Sequence, residues 1–460
     1  MRIATFIIFV LLAFCNISIY PYGYDALFCK VVFYETIFFS IIFVIHQSQQ
    51  EGFFNFHTFF VITFLIINFA HSVFIYPDDS LYPSLYRFPY AKTFISKSVA
   101  IAQLGLSVYM LAAELCYKHK KKWIHNLNNS KIYSFRLFSF FIAFFLLVYV
   151  MLIEHKSGLE HMYPKLLVLL LAILCISLYL RKTTEKYNKN IIHCISKTNI
   201  LDVCTLMLFI SSQLIIGSRT EVLVIFFFYL GFYNRYIYRL KALLILNIFV
   251  CGILFFGIIC MTRVSNVNLT NSSLMLVIKE GLNKMDGNII LLSLTDLIVN
   301  VRNLYDGIEY GETQNLMLGK SYIPYFFAPI PYLPSMITTI LFDKVPSDLG
   351  SGALFTKLAG ANYGLGSNCI GDIYLNYSTF GVVVIMLLLG IIVQKSKQSD
   401  NSYAQILYFS LFGYSIYIVR ACFLCFVDFY FFAIIIYWIM THNFYIVKPV
   451  QINQNNKPLQ

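Results

Sequence analysis

Charged residues are scarce in this sequence: they make up 12% of its 460 residues, whereas apolar residues make up 59%. A soluble domain with that balance would expose one continuous apolar surface. The apolar residues come in runs of about 18 or more along the whole chain, which is typical of a protein that crosses a membrane many times. The composition therefore excludes an ordinary soluble enzyme and predicts an all-α integral membrane protein.

Clustered cysteine and histidine are also missing. Most of the eleven cysteines lie inside apolar runs, where a free thiol behaves as a small apolar side chain. The "CFLC" at 422–425 falls at the start of an apolar run and indicates packing, and the histidines are scattered. No phosphate-binding GxxxxGK[ST] is present either. We therefore expect no metal, no cofactor and no disulfide framework.

The apolar runs predict about twelve transmembrane helices. They lie near 3–20, 27–45, 56–76, 98–117, 137–154, 165–180, 199–216, 220–234, 241–261, 373–394, 403–420 and 421–441. The first run has no small-residue cleavage site after it, so we expect it to remain as a span. The chain then divides into N-terminal helices over 1–261, a large loop over 262–372, C-terminal helices over 373–441 and a tail over 442–460.

Lysine and arginine in the short loops predict the orientation. The loop after the fourth span, "KHKKKWIHNLNNSKIYSFR", carries six of them, and "RKTTEKYNKNIIHCISKTN" after the sixth carries five. Basic loops stay on the cytoplasmic side, so both termini are expected there and the large loop outside. The net charge of +12 is then a membrane-topology signal, and a nucleic-acid partner is not expected.

The large loop, 262–372, is the longest break in the apolar pattern. Loops of about 110 residues are uncommon unless they are functional. Its stretch "NIILLSLTDLIVNVRNLYDGI" is interrupted by Asp296, Asn300 and Arg302, which predicts a helix lying on or against the membrane. A Pro- and aromatic-rich segment and a Gly-rich segment follow, and they predict irregular but ordered structure.

One charged pair lies between two short apolar runs, in "LIIGSRTEVLVIFF" at 214–227. The seventh and eighth spans are so short that each helix reaches only about 24–25 Å, against a hydrocarbon thickness of about 30 Å. Arg219 is therefore expected below the outer membrane surface, where an ionisable residue is a functional candidate. Two alternatives remain open: Arg219 extends outward and pairs with Glu221, or it binds a phosphate group of a substrate.

Three stretches resemble bacterial O-antigen polymerases (Wzy type). "GSRTEVL" at 217–223 is similar to the family's G-x-R-x-x-x-L element, and "FDKVPSD" at 342–348 to its Lys-Pro element. "GLGSNCIGDIYLNYSTFG" at 364–381 resembles the G-x-S-x-I-G-E-x-Y-x-N-F-G region. Two departures are visible. Asp372 stands where the family often has Glu, and the large loop has no second G-x-R arginine.

The resemblance implies a GT-C-like membrane glycosyltransferase of lipopolysaccharide biosynthesis. Such an enzyme joins oligosaccharide repeat units carried on undecaprenyl pyrophosphate, at the periplasmic face of the bacterial inner membrane. It uses neither a nucleotide sugar nor a metal, and the family usually works with a chain-length regulator protein. The expected partners are thus lipid-linked oligosaccharide, membrane lipid and such a regulator.

The same resemblance assigns roles to residues of this chain. Arg219 would stabilise the leaving pyrophosphate, with Glu221 orienting it and Arg263 or Arg302 as a second cation. Asp372 would be the base for the acceptor hydroxyl, or alternatively the N-cap of the tenth span. Tyr374 and Asn376 would hydrogen-bond sugar hydroxyls, or alternatively pack in the core.

Two other functions compete with the polymerase: a ligase has nearly this topology, and a flippase would also have about twelve spans. An O-antigen ligase typically has a histidine in the large loop, and none occurs in 262–372 of this chain. A flippase for the lipid-linked repeat unit would have short and even loops. Both stay as alternatives to the polymerase.

Overall fold

The computed structural model of the protein describes residues 2–76, 90–118, 136–152, 162–181, 200–216, 220–236, 297–330, 332–361 and 364–441, with positions 240, 247, 250 and 294. All regular elements in these ranges are helical. The helices are α1 Arg2–Ile19, α2 Ala26–Glu51, α3 Phe56–Ala70, α4 Ile95–Leu115, α5 Arg136–Leu152, α6 Met162–Arg181, α7 Ile200–Ile216, α8 Thr220–Tyr236, α9 Val301–Thr313, α10 Ile323–Phe327, α11 Leu333–Phe342, α12 Pro346–Leu349, α13 Ser351–Leu358, α14 Cys369–Gln398, α15 Ser402–Gly413, α16 Ser415–Arg420 and α17 Val427–Thr441.

Five helices in the described part of the chain are long and apolar enough to cross a membrane. They are Arg2–Ile19, Ala26–Glu51, Phe56–Ile75 (α3 with the π-turn that follows it), Ile95–Leu115 and Cys369–Gln398. The protein is therefore an all-α protein of membrane type. The other predicted spans correspond to helices with shorter apolar stretches, except that the ninth, 241–261, falls almost wholly outside the described residues.

Asparagine and aspartate begin several of these helices. The side chains of Asp25, Asn55 and Asn401 accept hydrogen bonds from the main-chain N–H groups of Phe28, Thr58 and Tyr403, at 2.7, 3.2 and 2.9 Å. Each cap satisfies a donor that the helix leaves without an internal partner. The helix starts at 26, 56 and 402 are thus encoded locally.

Helix α4 lies at the centre of the bundle and packs against α1, α2 and α14. Every residue from Ile95 to Met110 is buried. Small residues let its neighbour approach closely: a Cβ added to Gly390 of α14 would lie 2.5 Å from the Tyr109 carbonyl oxygen. Close backbone approach through small residues is the usual way for membrane helices to gain packing energy.

Helix α9 corrects the expectation for the large loop. Its residues Val301–Ile308 are all buried, and it packs against α14, α3 and α4. It therefore lies inside the protein and not on the membrane surface. Asn300, one of the polar residues that suggested a surface helix, binds the Ser367 carbonyl, as described below.

The C-terminal helices also differ from the predicted bounds. The eleventh span is divided into α15 and α16, and residues 421–426 form turns before α17 begins at Val427. The "CFLC" segment at 422–425 lies in these turns, not in a span. Its predicted packing role is confirmed, because Cys422 and Leu424 form a small core with Tyr322.

The helix connections meet in two groups. In one group, the Gly23 N–H donates to the Thr93 carbonyl at 2.9 Å, and the Ala91 N–H donates to Asp306 Oδ1 at 2.8 Å. In the other group, Arg235 Nη1 lies 3.1 Å from Glu51 Oε1. The first group joins connections predicted outside, and the second joins connections predicted inside.

Candidate functional site

The contact between α9 and α14 is made backbone to backbone. A Cβ on Gly307 would lie 2.8 Å from the Cα of Gly371, and a Cβ on Gly371 would lie 2.5 Å from the Asn303 carbonyl oxygen. Real Cβ atoms do not approach main-chain atoms so closely, so only glycine fits at both positions. Gly371 belongs to the segment that resembles the polymerases, and its role here is close packing.

Asparagines hold the start of α14. Asn368 is the N-cap: its Oδ1 accepts from the N–H groups of Ile370 and Gly371 at 3.0 and 3.2 Å. Its Nδ2 donates to Asn68 Oδ1 at 2.9 Å, and Asn300 Nδ2 donates to the Ser367 carbonyl at 2.8 Å. The N-cap alternative for Asp372 is therefore wrong, because Asn368 fills that position and Asp372 lies within the first turn.

Asp372 and Asn376 attach a loop to α14. Both side chains are buried. Ser321 Oγ donates to Asp372 Oδ1 at 3.2 Å, and Asn376 Nδ2 donates to Ser321 Oγ at 2.8 Å. Asn376 Oδ1 also accepts from the Gly319 N–H at 2.9 Å. Two residues predicted to handle substrate thus hold the turn at 319–321, and the catalytic role of Asp372 stays a prediction.

Helix α14 is broken at Ser378, whose φ of 56° and ψ of −158° are not helical. The break leaves carbonyl groups without their usual partners in the helix. The Met317 N–H donates to the Leu375 carbonyl at 3.0 Å, and the Leu318 N–H donates to the Asn376 carbonyl at 3.2 Å. A helix break inside a membrane protein is tolerated where other backbone supplies the missing bonds in this way.

Tyr374 takes part in an ionic cluster with Lys97 and Glu312. Its hydroxyl donates to Glu312 Oε1, and Lys97 Nζ lies 2.7 Å from Glu312 Oε2. Partial burial opposes the charge on Glu312, but the hydrogen bonds from Lys97 and Tyr374 hold the pKa of this carboxyl below its usual value. Tyr374 is itself 1% exposed, so its hydroxyl serves this cluster.

A cavity of about 480 Å³ opens beside α9. It lies between α9, the segment around 90–92 that precedes α4, and the end of α13. Its lining consists of Tyr90, Ala91, Lys92, Asp306, Glu309, Tyr310, Thr313, Gln314 and Leu358. Aromatic rings, carboxylates, an ammonium and an amide therefore face one space.

Asp306 is the most enclosed ionisable group of this lining. The side chain is 8% exposed, and the Ala91 N–H fixes its Oδ1 at 2.8 Å. Burial raises the pKa of Asp306 to about 6, and the negative charge of Glu309 acts in the same direction. The Ala91 hydrogen bond and the Arg302 charge act against this rise. The carboxyl group thus titrates near neutrality.

The predicted site residues fall into three groups. Arg302, buried on α9, lies one turn before Asp306, and Asp372, Tyr374 and Asn376 lie on α14, which packs against α9. Glu221 lies in the first turn of α8, which packs against α15. Arg219 and Arg263 lie outside the described residues. The structure thus brings four of the predicted residues to the junction of α9 and α14.

Sequence reasoning missed Asp306, Glu309, Lys97 and Glu312. The signal was present in the spacing of Asp306, Glu309 and Glu312, because residues three apart are neighbours on a helix surface. It was hidden because the helix was expected at the membrane surface, where such acids are ordinary.

Comparison with protein families, curated proteins and solved structures finds no match to this chain.

Proposed function

We propose that the protein is an O-antigen polymerase of the bacterial inner membrane. In this function it joins oligosaccharide repeat units that are carried on undecaprenyl pyrophosphate, at the periplasmic face. The reaction transfers the growing chain from its carrier to a new lipid-linked unit. The protein would therefore be a glycosyltransferase that needs no nucleotide sugar.

The observation that carries the proposal is the cavity beside α9. Tyr90 and Tyr310 contribute rings to its lining, while Asp306 and Glu309 contribute carboxylates. Carboxylates accept hydrogen bonds from hydroxyl groups, and aromatic rings offer an apolar face with a polar edge. A sugar presents both hydroxyl groups and apolar C–H faces, so it matches this lining.

The position of the cavity also supports the proposal. Its walls come from residues 90–92, in the connection before α4, and from the large loop, both of which the lysine and arginine distribution assigns to the periplasmic side. The stretch at 364–381 that resembles the polymerases forms the broken helix start on which this region rests. The stretch that resembles the polymerases and the cavity thus lie at the same end of the bundle.

Deletion of the gene tests the proposal. A polymerase deletion is expected to leave lipopolysaccharide capped with a single repeat unit, because export and ligation of the unit continue. The measurement is the lipopolysaccharide ladder on a gel, with the complemented strain as the control. Complete loss of the unit would point to a flippase or a ligase, and an unchanged ladder would exclude all three functions.

A further inference from the structure

The cavity beside α9 combines features that a glycosyl acceptor requires. It contains a carboxylate that the main chain holds in place, because the Ala91 N–H donates to Asp306 Oδ1 at 2.8 Å. It also contains a second acid, Glu309, and two tyrosine rings. The ammonium of Lys92 lies 5.8 Å from the centre of the Tyr90 ring, in the segment that precedes α4.

We infer that this cavity binds the terminal sugar of the acceptor unit and that Asp306 is the general base of the transfer. The inference rests on the proposed polymerase function and adds a residue and a subsite to it. It also moves the base from Asp372, whose carboxyl group is buried and accepts a hydrogen bond from Ser321 Oγ, to a carboxyl group that lines a cavity.

The proposed transfer forms one glycosidic bond, breaks one bond to pyrophosphate and moves one proton. The acceptor hydroxyl oxygen attacks the anomeric carbon of the donor chain, and a glycosidic C–O bond forms. The bond from that carbon to the pyrophosphate oxygen breaks, and the electron pair leaves with undecaprenyl pyrophosphate. The hydroxyl proton passes to Asp306, which releases it to water after the product has moved on.

Asp306 suits a base because of what surrounds it. A general base is most effective when its pKa lies close to the working pH, and burial raises the pKa of Asp306 to about 6. The charged and titratable groups that face it are Glu309 and Arg302 on α9, Tyr310 on the same helix, and Tyr90 and Lys92 in the segment that precedes α4. The carboxyl group is ionised at neutral pH and still basic.

The test compares Asp306→Asn with the unchanged protein. Asparagine keeps an oxygen that can accept from the Ala91 N–H, so the cavity wall is preserved while the base is lost. We expect the rate of polymer formation to fall by about 10²–10⁴-fold. Rates are measured with the purified full-length protein and membranes of the deletion strain, which supply lipid-linked units.

Measuring oligosaccharide binding to the Asp306→Asn variant shows whether Asp306 acts as a base or holds the sugar. The probe is the repeat-unit oligosaccharide released by mild acid from the pyrophosphate of the lipid-linked units in the deletion strain, titrated calorimetrically into the purified protein. Asp306→Asn is expected to keep its dissociation constant within about twofold, because only a proton-accepting role is removed. The control is Asp400→Asn, an exposed acid in the turn between α14 and α15 and outside the cavity, which should leave both rate and binding unchanged.

The pH profile gives a readout that a structural role would not produce. A base must be deprotonated, so the rate of the unchanged protein should rise with pH through a midpoint near 6. Glu309→Gln removes a charge that raises the pKa of Asp306, so the midpoint should move to lower pH. An unmoved midpoint, a full ladder in Asp306→Asn, or loss of oligosaccharide binding together with activity would each overturn the inference.

The two proposals fail in different ways. If the deletion strain keeps its ladder, the polymerase function is wrong whatever Asp306 does. If the deletion gives single-unit lipopolysaccharide but Asp306→Asn restores the full ladder at an equal amount of membrane protein, the function stands and the assignment of the base is wrong.

Discussion

The two carboxyl groups of Glu312 and Asp306, both on α9, have pKa values shifted in opposite directions by their surroundings. Glu312 is held below its usual pKa by hydrogen bonds from Lys97 and Tyr374, against the effect of burial, whereas burial raises the pKa of Asp306 to about 6. Near neutrality Glu312 is therefore a fixed charge that joins α4, α9 and α14, while Asp306 can exchange a proton. Acids whose pKa values are pushed apart are a frequent sign of separate structural and catalytic tasks.

Arg219 remains the predicted ligand of the carrier pyrophosphate. A guanidinium binds phosphate through two parallel hydrogen bonds, which an ammonium cannot reproduce. Arg219→Lys should therefore damage polymerisation nearly as much as Arg219→Ala, with a loss on the order of 10²–10³ in rate. The measurement is ladder length at matched protein levels in the membrane.

A milder variant accompanies this comparison. Glu221→Gln should shorten the ladder less than either arginine variant if Glu221 only orients the guanidinium. A full-length ladder in normally produced Arg219→Ala would show that Arg219 is a boundary residue of the membrane. The pyrophosphate ligand would then have to be sought at Arg263 or Arg302.

At the scale of elements, the α9–α14 contact depends on glycine. Replacing Gly371 by Ala would bring a Cβ to 2.5 Å from the Asn303 carbonyl oxygen, and main-chain atoms cannot move away cheaply. We expect Gly371→Ala to lower the free energy of unfolding by about 1–3 kcal/mol. The loss is read as a lower midpoint of thermal unfolding in detergent.

The same stretch offers a matched control. Gly364 lies seven residues earlier, and a Cβ added there would meet nothing within 4 Å. Gly364→Ala should therefore leave the unfolding midpoint unchanged within error. Equal effects of the two substitutions would mean that close packing of α9 on α14 does not limit stability.

Some elements could be predicted from the sequence because their signals are local. Apolar run length and polar boundaries predict α7 and α8, and each is 17 residues long, about 25 Å, as expected for spans that are shorter than the membrane. The side chains of Asn55 and Asn401 likewise cap helices by accepting from N–H groups no more than three residues away. The span bounds in this part of the chain needed no knowledge of the fold.

The junction of α9 and α14 could not be predicted because its partners are distant in sequence. Asn300 binds the Ser367 carbonyl, Asp306 binds the Ala91 N–H, and Asn376 binds the Gly319 N–H. Each polar side chain is satisfied by backbone from another segment. From the sequence alone, such residues indicate either a surface or a substrate site, since an internal partner leaves no local pattern.

At the scale of the whole molecule, contacts between connections sort them into two groups. Lys397 Nζ donates to Gln47 Oε1 at 3.1 Å, and Arg235 Nη2 donates to the Lys397 carbonyl at 2.7 Å. These residues join the connections at one end of the bundle. The α9 cavity belongs to the other group of connections, which contains Ala91 and Asp306. The proposed function requires the cavity at the periplasmic end.

Epitope insertion tests this arrangement. A tag inserted after Lys344, an exposed position of the large loop, should be detected on intact spheroplasts. A tag after Asp400, in the exposed turn between α14 and α15, should be detected only after permeabilisation, because basic residues keep that end inside. A cytoplasmic marker protein serves as the integrity control. The reverse pattern would put the cavity in the cytoplasm and remove the periplasmic reaction.

The break at Ser378 has a consequence for biosynthesis. The carbonyl groups of Leu375 and Asn376 bind the N–H groups of Met317 and Leu318, so the ribosome makes the donors 58 residues before the acceptors. On the predicted topology, the 317–321 turn is exported first and reaches the outer surface before α14 is inserted. A nascent chain that ends before 369 lacks the surface on which α9 and this turn dock, so the site is assembled only after the tenth predicted span has entered the membrane.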